Sequence, residues 1–145
     1  MTILSQTDID EIAALCPRLY AAVGWGPGQA PDWALFRSCC HGQAVLVPMG
    51  SGAASPIPLE TFIAAMEEQR TSGALAALSE EEIGGAVEGY GNLASVRSSF
   101  VATMDGVSRR GVTYAHIVRD EGRWVILAAI WENEREDAPL PAALL

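Results

Sequence analysis

The chain has 145 residues, half of them hydrophobic and 19% charged, the composition of one globular domain able to bury a core without covalent staples. Its formal net charge is -9, a field that repels phosphate backbones and anionic lipid heads and argues against nucleic-acid and membrane-surface partners. All nine basic residues are Arg, so lysine Schiff-base chemistry and a phosphate-loop lysine are both excluded.

In chain order, the N-terminal stretch carries Asp8, Asp10 and Glu11 and lacks a basic start followed by an apolar run, so it does not read as a signal peptide. Thr7 with Asp10 fits a helix start, and Ile9, Ile12, Cys16, Leu19 and Val23 then recur at helical spacing. Pro17 is expected to kink this helix or split it in two. The Gly- and Pro-rich stretch 24–31 is a loop, and Asp32 caps a short second helix beginning at Trp33. Residues 44–49 read as a first strand, 50–58 as a loop, and 59–72 as a third helix ended by Gly73. Residues 74–79 either prolong that helix or form a connection.

The remainder carries strand signal. Segments 83–90, 93–104, 110–119 and 123–133 are separated by Gly91-Asn92, Asp105-Gly106 and Glu121-Gly122, tight-turn pairs that predict an antiparallel meander. The fold class is therefore α+β, with three N-terminal helices on one face of a strongly curved antiparallel sheet. Residues 1–134 form a single domain, and 135–145 a tail that is loose or draped on a neighbour. The longest apolar run, 124–131, is 8 residues, a strand and not a membrane span. Three cysteines, two of them adjacent, make no disulfide framework and suit a reducing cytoplasm.

The order of elements and several local phrases resemble the nuclear transport factor 2-like superfamily, with its SnoaL-like and ketosteroid-isomerase-like groups. Asp32-Trp33-Ala34-Leu35-Phe36 and the strand 44–50 look like its second helix and first strand. Tyr90-Gly91-Asn92-Leu93 resembles its central hairpin, and His116-Ile117-Val118-Arg119 with Trp131-Glu132-Asn133-Glu134 its last hairpin. The resemblance implies a cystatin-like cone and places Trp131 toward its cavity. Ketosteroid-isomerase chemistry is not implied, because the base position before Pro48 holds Val47 and proton abstraction then has no agent there.

In such a cone the core and the cavity wall are largely one set of residues. The expected wall is Tyr20, Trp33, Phe36, Met49, Phe62, Met66, Ser98, Phe100, Leu127 and Trp131, suited to an apolar or aromatic small molecule. With Glu121-Gly122 as a two-residue turn, Tyr114, His116 and Val118 share a face with Val125, Leu127, Ala129 and Trp131. His116 and Tyr114 are thus the candidate catalytic pair, a proton carrier and an oxyanion donor; a three-residue loop would instead put His116 with Trp124 and Ile126. The bland reading makes His116 a hydrogen-bonded sheet residue and the tyrosines core.

Cys39-Cys40-His41 has no second cluster at ligand spacing, so no metal is expected. The absence of a phosphate loop or dinucleotide fingerprint leaves no expected cofactor. The run Glu80-Glu81-Glu82 reads as a solvated edge, with Glu88 placed near a cavity mouth. The last strand, apolar on both faces, predicts a homodimer through the outer sheet face.

Overall fold

A computed structural model describes residues 3–50 and 52–145. Met1 and Thr2 of the N-terminal stretch and Ser51 of the 50–58 loop lie outside the described residues.

The expected first helix is two, α1 (Gln6–Ala13) and α2 (Leu15–Val23). The break falls at Ala14, three residues before Pro17, because a proline nitrogen cannot donate back into the preceding turn. α1 starts two residues earlier than expected. Ser5 Oγ accepts from Asp8 N at 3.0 Å while Asp8 Oδ2 accepts from Ser5 N at 3.1 Å, a reciprocal capping box that Thr7 and Asp10 do not form. Asp8 also accepts from Trp124 Nε1 at 3.0 Å and Arg119 at 2.9 Å, with the guanidinium stacked over the Trp124 ring. These bonds tie α1 to the sheet and hold the Asp8 carboxyl well below the usual carboxylate range, the Trp124 bond contributing most.

α3 (Trp33–Ser38) is capped by Asp32, whose side chain accepts from Leu35 N at 3.0 Å. β1 (Cys40–Pro48), the two-residue β2 (Ile57–Pro58) and α4 (Leu59–Thr71) follow. Gly73, at φ +79°, ends α4. Asp105 Oδ1 then accepts from Ala76 N and Ala77 N, both at 2.9 Å, so the stretch after α4 is a connection.

Four long strands follow: β3 (Leu78–Tyr90), β4 (Leu93–Met104), β5 (Val107–Asp120) and β6 (Arg123–Asn133). They form the expected antiparallel meander, with Asp105-Gly106 and Glu121-Gly122 at positive φ as tight hairpins require. The sheet order is β2-β1-β6-β5-β4-β3, and β1 lies parallel to β6, so the sheet is mixed where an antiparallel one was expected. The open, curled sheet wraps the helices, and one continuous core runs between them from Ile12 and Leu19 to Phe36, Leu46, Phe100 and Ile126.

Besides a register shift between Cys40 and Val45 where β1 meets β6, two irregularities interrupt the meander. One falls in β3 between Glu82 and Gly84, the other between β5 and β6 at Leu127. Each is a bulge, an extra residue that reverses which alternate side chains face the helices. The segment after β6 doubles back over the outer sheet face: Arg110 pairs with Glu134 through two bonds of 2.9 and 2.7 Å, Glu134 accepts from Leu140 N, and Ser99 Oγ donates to Leu144 O.

Candidate functional site

The sheet and helices enclose a cavity of about 190 Å³. Its wall is built from Leu19, Tyr20 and Val23 of α2, Phe36 of α3, Phe62 and Met66 of α4, Phe100 and Ala102 of β4, and Trp131 of β6. Phe36 and Phe62 stack at 5.6 Å between centroids, and Phe62 meets Trp131 edge-on at 6.0 Å. Phe100 reaches its place because Gly111 lies beneath it on β5. A Cβ there would come within 2.4 Å of the Phe100 ring and 2.7 Å of Glu132 O.

One ionisable carboxyl stands in this wall. Glu80, on the inner face of β3 opposite Ala102, is half-buried and makes no hydrogen bond or ion pair among the described residues. Its apolar surroundings strip water from the charged form, and this desolvation alone raises its pKa from 4.5 to about 7. Glu82, the next inward residue of β3, is in a different position: its Oε2 accepts from Ser98 Oγ at 2.6 Å. Tyr20 Oη lies 3.0 Å from both Ser98 Oγ and Thr113 Oγ1. The Ser98 proton is committed to Glu82, and the Tyr20 hydroxyl donates toward Ser98 Oγ and Thr113 Oγ1, which share its one proton. Burial pushes the Tyr20 phenol above its ordinary value, so it serves as a neutral hydrogen-bonding group. Gln69, exposed on the last turn of α4, and Asn133, at the end of β6, add amides to the wall.

The expectation for the Glu80-Glu81-Glu82 run is therefore corrected. Only Glu81 faces outward; the bulge after Glu82 turns its two neighbours inward. Glu88 stands on the outer face opposite Ser95, away from the cavity.

His116 and Tyr114 do not line the cavity. The turn has two residues, as expected, and Val118 pairs with Val125. The bulge at Leu127 then shifts the register, so Trp131 and Ala129 oppose Thr113 and Ala115, while Ile130 and Ala128 oppose Tyr114 and His116. Tyr114 is consequently 53% exposed on the outer face, and His116 Nδ1 lies 3.3 Å from Ser95 Oγ there. Neither register considered from sequence contained this bulge.

Of the other expected wall residues, Tyr20, Phe36, Phe62, Met66, Phe100 and Trp131 reach the cavity. Ser98 is fully buried behind Tyr20. Trp33 packs edge-on against Phe36 at 5.3 Å, outside the wall. Met49 follows β1, its N–H donating to Trp131 O, and Leu127 sits on the bulge with 38% of its surface exposed. The three cysteines are free and buried, and burial drives the Cys16 and Cys40 thiols up to about 12, which leaves no thiolate nucleophile.

No model of a known protein family matches the chain, and no curated protein matches it. Solved structures do. A protein of unknown function with a cystatin-like fold from Nostoc punctiforme superposes with a TM-score of 0.71 at 12% identity, over 92% of this chain and 96% of that one. An NTF2-like protein of unknown function from Shewanella baltica gives 0.63 at 10% identity, over 92% and 99%. The fold is the NTF2-like fold. A candidate scytalone dehydratase from Novosphingobium aromaticivorans shares this NTF2-like architecture, with a TM-score of 0.67 at 9% identity over 89% and 85%. At such identities the likeness speaks for the fold alone. No helix among the described residues is long and apolar enough to cross a membrane.

Burial of Glu80 has a consequence for stability. In the unfolded chain this carboxyl keeps its ordinary value, so between about pH 4.5 and 7 the folded state binds more protons. Stability is therefore lost as pH rises through that window and levels off above it. Glu80→Gln, which cannot ionise, should gain up to roughly 3 kcal/mol over the parent at pH 8 and almost nothing at pH 4. Urea denaturation of both proteins at the two pH values checks this; an equal gap at pH 4 and pH 8 would contradict it.

Proposed function

We propose that the chain binds a small, largely apolar molecule in the cone, with Glu80 as its polar anchor. The observation that carries this reading is a single unpartnered carboxyl in a largely aromatic and aliphatic wall, whose other polar groups are all neutral. A volume of about 190 Å³ suits a molecule of single-ring size, since an apolar cavity of about 150 Å³ accepts benzene. In the catalytic form of this reading, Glu80 moves the proton that an isomerase, lyase or hydrolase step requires, and its raised pKa suits it to both halves of that transfer near neutrality. This role passes from His116 to Glu80 because His116 stands on the opposite face of the sheet. Three free, buried cysteines fit residence in the reducing cytoplasm.

Thermal unfolding against a panel of single-ring compounds tests the reading. A ligand at a hundred times its Kd adds about 2.7 kcal/mol, a shift of several degrees. His116→Ala should keep the shift, and Trp131→Ala should lose most of it. A broad panel that shifts neither the parent nor His116→Ala would contradict ligand binding.

A second reading, a homodimer closed through the outer sheet face, is favoured by the apolar side chains left there. Tyr114 is 53% exposed and Ile130 39%, and they sit directly opposite each other on β5 and β6. Sedimentation velocity of the parent and of Ile130→Arg should show a dimer converted to a monomer; a parent already monomeric at high concentration would refute the dimer.

A further inference from the structure

We propose that the ligand of the cone is an organic ammonium ion, a protonated or quaternary amine on a single-ring or branched hydrocarbon body. This rests on the reading of the cone as a ligand site anchored at Glu80.

Charge complementarity leads there first. The cavity wall contains Glu80 and no Arg or His, and the chain contains no lysine. A carboxylate or phosphate ligand would meet a like charge in low dielectric with no positive charge in the wall to offset it. A cation meets the reverse: a carboxyl without hydrogen bond or ion pair among the described residues, inside a protein of net charge -9 whose field draws cations toward it. Glu82, two residues along β3, is engaged by Ser98 and leaves Glu80 as the free anchor.

The remaining wall fits the same ligand. Phe36 and Trp131 both pack against Phe62, and Tyr20 and Phe100 form a second aromatic pair at 5.6 Å between centroids. Aromatic faces attract a desolvated cation through their quadrupoles and take up its hydrocarbon body by ordinary burial. A neutral alcohol would gain the burial and one hydrogen bond, but neither the ion pair nor the cation–π term.

The test compares benzylamine, benzyltrimethylammonium, benzyl alcohol and benzoate, which share one ring, by calorimetric titration of the full chain at pH 8. Glu80→Gln serves as the control that keeps shape and removes charge, and repetition at higher salt separates the cone from surface attraction. The two ammonium compounds are expected to bind at least tenfold more tightly than the alcohol, with benzoate weakest. In Glu80→Gln that preference should vanish while the alcohol still binds. If alcohol and amines bind equally to the parent, the ammonium assignment is wrong and the ligand-binding cone stands. If none of the four binds, both fail.

Discussion

Which side chains enter the cone depends on parity, because every inward position of a strand is followed by an outward one. Two bulges set that parity. In β6 the extra residue at Leu127 lets Val125 face with Val118 near the turn and yet sends Trp131 inward with Thr113 farther along. In β3 the irregularity after Glu82 puts Leu78, Glu80 and Glu82 on the inner face, whereas Val87 holds it beyond the break, opposite Val96. Remove either bulge and the cone changes its chemistry. Ala129 and Trp131 would exchange places with Ala128 and Ile130, or Glu81 would replace its neighbours.

The wall that results places a cost on its own carboxyl. Glu82 is satisfied by the Ser98 hydroxyl, itself held by Tyr20 and so by Thr113, a chain of bonds that settles the polar interior of the sheet. Glu80 has no such partner, and the apolar side chains around it only remove water. A buried ionisable group that weakens the native state at neutral pH is what a binding or proton-transfer site presents before its ligand arrives. The same desolvation that destabilises the empty protein would strengthen an ion pair formed inside the cone.

Much of the architecture was legible because it rests on periodicity and turn chemistry. Helical spacing marked Ile12, Cys16, Leu19 and Val23, alternation marked Ala94 through Met104, and Asp105-Gly106 and Glu121-Gly122 marked the hairpins. The site was less so. A bulge leaves little trace in a strand such as 123–133 that is apolar on both faces, so the phase of β6 could not be carried past Leu127. Three consecutive glutamates look solvated by composition, and nothing local says that two of them turn inward. The parallel pairing of β1 with β6 depends on the whole topology and not on either segment. The expected helix start at Thr7 and Asp10 had the right spacing two residues too late, since Ser5 and Asp8 offer the same pattern and Asp8 has Trp124 and Arg119 to fix it.

Desolvation in the cone raises the Glu80 carboxyl to about 7. The most direct measurement is a pH titration of the glutamate side-chain carboxyl carbons by ¹³C NMR, in the parent and in Glu80→Gln. One resonance with a midpoint near 7, missing from the variant, is expected. A parent in which every glutamate carboxyl titrates in the ordinary acidic range would contradict it, and would mean that water reaches Glu80 as freely as it reaches the surface.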